Sequence, residues 1–193
     1  LYMFFIDTTS GQLTAIAENY LQLEGGYTER DISLNPSATP IEGKHPYITN
    51  KGVMWGTFKQ FYEGKDKSFN YFATQLSKSD VMQIVYTGFY KEFGGAPAPF
   101  SLILWWAKWG TGNAQNEVKF LQNKLGLTPD GVFGNKTVAA LWLTVDKQKL
   151  ANELINERWR WMQTLSNAAA NPGWYNGIKF LQDFSDKFFL KKK

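Results

Sequence analysis

The sequence predicts a mainly α fold for this chain of 193 residues. Three observations lead to that prediction. Apolar residues recur three and four positions apart through most of the chain, which is the spacing of one buried helical face. Glycine and proline clusters interrupt this pattern at intervals that suit helix ends. No stretch shows a convincing alternation of apolar and polar residues, which a half-buried strand would show.

The first predicted helix runs from Thr9 to Gly25-Gly26 and ends on a carboxylate. Thr9–Gln12 suits a capping box, and the two glycines supply the left-handed backbone that ends helices. Glu24 therefore lies near the negative pole of the helix, which raises the pKa of its carboxyl group. The buried face of this helix has the helical spacing throughout: Leu13, Ile16, Ala17, Tyr20 and Leu21.

Glu24 has two interpretations. A carboxylic acid that stays protonated near neutral pH is the group with which a glycosidase protonates a leaving sugar oxygen. Most glutamates near helix ends, however, are solvated surface residues with no chemical role. Position and residue type alone leave both interpretations open.

A long loop and four helices are predicted next. Residues 28–54 contain three prolines with several Gly and Ser residues, and loops of this length tend to be functional. The last of the four helices is apolar almost all round, which predicts a central, buried position. The four predicted helices are Thr57 to Tyr62, Phe69 to Leu76, Ser77 or Ser79 to Phe89, and Phe100 to Trp109.

The C-terminal part predicts four more helices, separated by a turn at 127–131 and an interruption at 171–173. Asp146 is the predicted cap of the longest. The four are marked by these residues: Val118 to Leu125; Asn135 or Thr137 to Val145; Leu150 to Leu165; and Ile178 to Phe188.

Composition narrows the classes of function. The absence of cysteine excludes disulfides, thiolate catalysis and cysteine-ligated metal sites. The single histidine, His45, has no companion at metal-ligand spacing, so no metal site is expected. A net charge of +4 suits approach to an anionic polymer, but the basic residues are scattered apart from 191–193, which argues against nucleic acid. No segment is long and apolar enough to span a membrane.

Several motifs, taken in order, resemble one family. Leu23-Glu24-Gly25-Gly26-Tyr27 resembles the EGGY signature of glycoside hydrolase family 108, the lysozyme-like N-acetylmuramidases of bacteria and phages. The segment 49–53, Thr-Asn-Lys-Gly-Val, is similar to the "TN-x-G-[IV]" segment of that family. Residues 120–141, with Asp130-Gly131 at their centre, resemble its C-terminal module, usually described as peptidoglycan-binding, and 173–184 resemble its closing helix.

The resemblance implies a lysozyme-like helical region at 1–112 and a helical peptidoglycan-binding-like module at 113–193, packed against the first. It implies cleavage of the β-1,4 bond between N-acetylmuramic acid and N-acetylglucosamine, with Glu24 as the catalytic acid. Thr49 would position water or substrate, and Tyr27 and Trp55 would line the sugar cleft. No metal or organic cofactor is needed. The expected partner is the glycan strand of peptidoglycan, and the protein is expected to act as a monomer. It would work in the bacterial cell envelope or, if it is encoded by a phage, on the wall of the host.

The chain also departs from the family pattern. The usual Asp-Pro…Asp-Pro-Gly-Gly stretch after EGGY is absent, and Leu104 stands near the position where the central helix often carries an aspartate. No second carboxylate carries over; Asp31 and Glu42 are candidates by proximity alone. Two alternatives therefore stay open. One is a non-catalytic wall-binding or secretion-accessory protein with the same fold, and the other is a lytic transglycosylase, which needs a single acid.

Overall fold

The structure, a computed structural model, describes residues 49–165 and 173–190. The described chain is mainly α, as the sequence predicts. The predicted helix at 9–25 and most of the long loop lie outside the described residues. The elements are β1 (Thr49–Asn50), β2 (Val53–Met54), α1 (Trp55–Phe61), α2 (Phe69–Thr74), α3 (Lys78–Val85), α4 (Ala98–Thr111), α5 (Gln115–Lys124), α6 (Asn135–Leu143), α7 (Lys147–Gln163) and α8 (Gly173–Leu190).

The described residues divide into two compact units between residues 88 and 89. Among the described residues, the first unit comprises 49–88 and the second comprises 89–165 with 173–190. The central helix α4 packs against α5, α7 and α8 within the second unit. The sequence predicted two functional regions, 1–112 and 113–193. The two compact units are defined by packing and not by function, so the assignment of functional regions stays a prediction.

The described part of the first unit consists of a two-stranded hairpin and three short helices around an aromatic core. Helix α1 begins directly after β2, with Met54 in the cap position and no side-chain cap, so the predicted start at Thr57 is two residues late. Ser77 caps α3 in a capping box with Asp80, which decides between the two serines proposed for that position. The fully buried apolar side chains of this unit are Val53, Phe58, Phe72, Leu76, Val81, Ile84 and Val85.

The link from α3 to α4 is not a continuous α-helix. Tyr86–Tyr90 form a π-helical turn and Lys91–Phe93 a 3-10 turn, where the sequence predicted helix as far as Phe89. Gly88 permits this path because a Cβ there would lie 2.8 Å from the Phe61 ring. A glycine inside a helical pattern marks a close approach of this kind.

The second unit is organised around α4, whose residues 98–107 are all buried. Pro97 occupies the cap position and Pro99 lies in the first turn, where a proline costs no helical hydrogen bond. The helix therefore starts at Ala98 and includes Pro99, two residues before the start predicted at Phe100. Asp146 caps α7 as predicted, by accepting a hydrogen bond from the Lys149 backbone N–H.

Candidate functional site

Only part of the predicted site falls within the described residues. Glu24 and Tyr27 lie outside them, as do Asp31 and Glu42. Thr49 is described in its backbone, and Trp55 in its side chain as well. The described part of the site is therefore the hairpin that begins at Thr49 and the helix that begins at Trp55, six residues later.

The hairpin owes its shape to Lys51 and Gly52, whose φ angles of 51° and 76° both lie in the left-handed region. Two consecutive positive φ values match the two-residue turns whose twist fits antiparallel strands. The register pairs Thr49 with Met54 and Asn50 with Val53. This segment was predicted as irregular loop because strands of two residues are too short to show any alternation.

Asn50 fixes the hairpin to the end of α2. Its side chain is 2% exposed, and its amide nitrogen donates to the backbone carbonyls of Phe72 and Ala73. The ammonium group of Lys51 donates to the carbonyl of Leu76 just beyond that helix. The last carbonyls of a helix, here those of Phe72 and Ala73, have no helical partner and carry its negative pole, so an amide donor is well matched to them. Sequence reasoning singled out Thr49 and missed Asn50, which holds the strand in place.

Trp55 is half-buried in an aromatic cluster of the first unit. Its ring stacks on Phe58 with centroids 5.5 Å apart and meets the edge of Phe69 at 5.4 Å. A third contact, with Phe72, has centroids 5.3 Å apart. The Lys59 ammonium lies 5.5 Å from the Trp55 ring centroid. Trp55 is thus held rigidly while part of its surface stays accessible, which suits a sugar-lining role and a packing role equally.

Asp80 is engaged in structure and is poorly suited to act as an acid. It accepts hydrogen bonds from the Ser77 backbone N–H at 2.7 Å and from the Tyr71 hydroxyl at 2.8 Å. Burial opposes its ionised form, but these bonds outweigh burial and hold the pKa of Asp80 below its ordinary value. Hydrogen bonds with Tyr62 and Asp80 raise the pKa of Tyr71 far above its ordinary value. Both groups keep fixed charge states near neutral pH.

The loop that resembles the family's C-terminal motif is assembled by Gln122. This side chain is 3% exposed; its amide donates to Asp130 at 2.7 Å, and its carbonyl accepts from the Gly131 N–H at 2.9 Å. The Val132 N–H and the Gln122 amide hold the pKa of Asp130 below its ordinary value. Gly131 has a φ of 77°, which favours glycine. The Asp-Gly pair of the motif therefore shapes the loop.

A buried ion pair connects three helices of the second unit. Arg158 of α7 donates to Glu117 of α5 at 2.8 Å, and the two side chains are 2% and 3% exposed. A further bond runs from Arg158 to the carbonyl of Ala107 in α4. The guanidinium lies 4.5 Å from the Trp161 ring centroid and 5.5 Å from that of Trp106. Periodicity did not reveal Arg158, because a charged residue on a helical pattern is normally solvated.

The described part of the chain shows neither a metal-binding cluster nor a membrane-spanning helix. It contains no group of three or more His, Asp or Glu side chains placed to hold a metal ion. No helix among the described residues is long and apolar enough to cross a membrane.

Comparison with known proteins establishes the fold. No protein-family model and no curated protein matches the chain. Among solved structures it is similar to that of Brucella abortus SagA, with a TM-score of 0.69 and 23% sequence identity. The match covers 93% of this chain and 97% of that chain. At this identity the likeness shows a shared fold and no more, and membership of family 108 stays a prediction.

Proposed function

We propose that the chain is a peptidoglycan hydrolase that cleaves the β-1,4 bond between N-acetylmuramic acid and N-acetylglucosamine, with Glu24 as general acid. The observation that carries the proposal is the hairpin at 49–54. Its Thr-Asn-Lys-Gly-Val segment is one of the motifs on which the family resemblance rests. Asn50 locks that segment to α2. A residue that positions water or substrate must be held within about half an ångström, and an anchored hairpin meets that need.

In the proposed reaction the proton of Glu24 passes to the glycosidic oxygen as the sugar approaches an oxocarbenium-like state. The bond from the anomeric carbon to that oxygen breaks, and N-acetylglucosamine leaves with its hydroxyl restored. Water, positioned by Thr49, adds its oxygen to the anomeric carbon and keeps one proton on the new hydroxyl group. Its other proton passes to the ionised Glu24 if water arrives on the side of the leaving group, which restores the acid, or to a second carboxylate if it arrives on the opposite side. Tyr27 and Trp55 line the cleft, where an aromatic ring stacks on the apolar face of a sugar.

The products of purified peptidoglycan test this proposal. Hydrolysis yields muropeptides with a free reducing end, each one water heavier than the anhydro-sugar product of a lytic transglycosylase. Mass spectrometry of the digest separates the two reactions. We expect reducing muropeptides from the wild-type protein and at least about 100-fold fewer from Glu24→Gln in the same time. If the products were anhydro-muropeptides, the reaction would be lytic transglycosylation and not hydrolysis, with Glu24 still the acid.

A second candidate function is non-catalytic binding to the wall, or an accessory role in secretion. The observation that favours it is the burial of α4: Leu104, near the position where the family often carries an aspartate, is 0% exposed among apolar neighbours. That helix therefore contributes no second carboxylate at this position. Co-sedimentation of the protein with purified peptidoglycan, without release of reducing ends, would favour this function over hydrolysis.

A further inference from the structure

An apolar tip stands at the turn from α6 to α7 in the second unit. It consists of Trp142, Leu143 and Val145. Leu143 is 82% exposed, Val145 is fully exposed, and about half of Trp142 is accessible. Single apolar residues on a surface are common, but three exposed ones within four positions leave an apolar surface in water. Such a surface is a candidate for contact with a partner.

The tip is anchored at its base. The indole N–H of Trp142 donates to the carbonyl of Gly95 at 2.8 Å, which fixes the ring. The ammonium group of Lys147 donates to the Thr144 carbonyl within the turn at 2.6 Å. Asp146 then caps α7. The exposed side chains therefore project from a turn that is hydrogen-bonded on both sides.

Lysines flank the tip along the chain. From the start of α6 to the first turn of α7, the sequence holds three lysines and one carboxylate, Asp146. Asp146 caps the N-terminus of α7, whose positive pole offsets its charge. Lys136 lies near Asp130 at the far end of α6. The ammonium groups of Lys147 and Lys149 therefore give the tip a positive surrounding.

The neighbouring helices leave that positive charge in place. Glu153 of α7 is paired with Lys124 of α5 at 2.8 Å. Helix α8 returns toward the start of α7, since Ser185 contacts Asn152. From residue 183 onward the sequence holds four lysines and two aspartates. An anionic partner is therefore favoured over a cationic one at this end of α7.

A bilayer interface fits a tip of this composition. Tryptophan is enriched at the boundary of membrane and water, because its ring is apolar while its N–H needs a polar partner, here the Gly95 carbonyl. Leu143 and Val145 stand clear of the surface around them, so they can enter lipid without repacking of the helices. Lysine stems lie along apolar surface while their ammonium groups reach anionic headgroups.

We propose that the tip binds the surface of a bilayer that contains anionic phospholipid. Leu143 and Val145 enter the interfacial layer, and the ammonium groups of Lys147 and Lys149 contact the headgroups. Two apolar side chains and two cations give weak, reversible attachment. Binding to lipid requires neither a sugar nor an acid, so it is independent of the proposed hydrolysis.

The absence of cysteine allows a label at one position of the full chain. Val145→Cys carries the fluorophore NBD, whose emission rises on entering lipid, and is titrated with phosphatidylcholine vesicles containing phosphatidylglycerol. Tyr175→Cys with the same label is the control, because Tyr175 is exposed and packs on Trp159, roughly 20 Å along α7 from Asp146. We expect a saturable rise at position 145 alone.

Three results of this titration would overturn the proposal. The first is no rise at position 145, and the second is an equal rise at both positions. The third is a rise at position 145 that follows protein concentration without vesicles, which would make the tip a contact between two copies of the chain.

Matched variants separate the apolar and charged contributions in co-sedimentation with the same vesicles. Leu143→Ser with Val145→Ser should weaken binding at least about tenfold with an unchanged unfolding midpoint, because both positions are exposed. Lys149→Glu should weaken it at least about fivefold. The exposed controls Tyr175→Ser and Lys179→Glu should bind as the wild type does. Wild-type binding by the double serine variant would overturn the tip, and equal losses in the two glutamate variants would overturn the headgroup contact.

Discussion

Replacing Asn50 by alanine tests whether the hairpin is held as the hydrogen bonds indicate. The substitution removes the amide that donates to the carbonyls of Phe72 and Ala73, at a side chain that is 2% exposed. Leaving buried acceptors unpaired costs about 1–3 kcal/mol, and the space left by the amide adds to that cost. We expect a loss of roughly 2–4 kcal/mol in the free energy of unfolding, measured by urea denaturation. Wall-lytic activity should fall as well, because Thr49 loses its fixed neighbour.

An aspartate at the same position sharpens the test. In Asn50→Asp a buried carboxylate faces two carbonyl oxygens, so its pKa in the folded state is raised above the unfolded value of about 3.9. A raised folded pKa gives stability that is present below about pH 4 and is lost as the pH rises through the folded pKa. The exposed Asn70→Ala is the control and should change stability by less than about 0.5 kcal/mol. An Asn50→Ala protein as stable as that control would refute the reasoning.

Two further predictions concern buried and capping charges. Arg158→Met leaves the 3% exposed Glu117 unpaired and should cost about 3–5 kcal/mol in urea unfolding, whereas adding Glu117→Leu should recover most of that loss. The exposed Arg160→Met is its control, and a double variant no more stable than Arg158→Met would contradict the account. The lowered pKa of Asp80 means that its stabilisation is present above about pH 4 and lost as the pH falls. Asp80→Asn should therefore flatten the acid limb of stability against pH, and an unchanged limb would count against this role.

Two helix caps were predicted correctly from the sequence, whereas the start predicted at Thr57 was two residues late. Asp146 caps α7 and one of the two proposed serines, Ser77, caps α3, because a cap depends on residues within one turn of it. The burial of α4 was also predictable, since apolar residues all round a helix need a central position. The end of α6 was not predicted correctly. The sequence extended the helix to Val145 because this apolar residue continues the helical spacing, but α6 ends at Leu143 and Val145 is fully exposed.

The described part of the candidate site was less predictable, because contacts between distant residues build it. Asn50 acts through carbonyls 22 and 23 residues away, and Arg158 through a carboxylate 41 residues away. Neither partner leaves a local pattern in a single sequence. The turn at Lys51 and Gly52, where both φ angles are positive, could have been predicted weakly from the sequence. A polar residue followed by glycine is common in two-residue turns.

The central claim is that Glu24 is the acid of a muramidase, and the rate of release of reducing ends from purified peptidoglycan tests it most directly. Glu24→Gln keeps the size of the side chain and removes the transferable proton, so we expect the rate to fall at least about 100-fold with an unchanged unfolding midpoint. Glu63→Gln makes the same change at an exposed residue and should retain the wild-type rate. A Glu24→Gln protein that releases reducing ends as fast as the wild type would contradict the account.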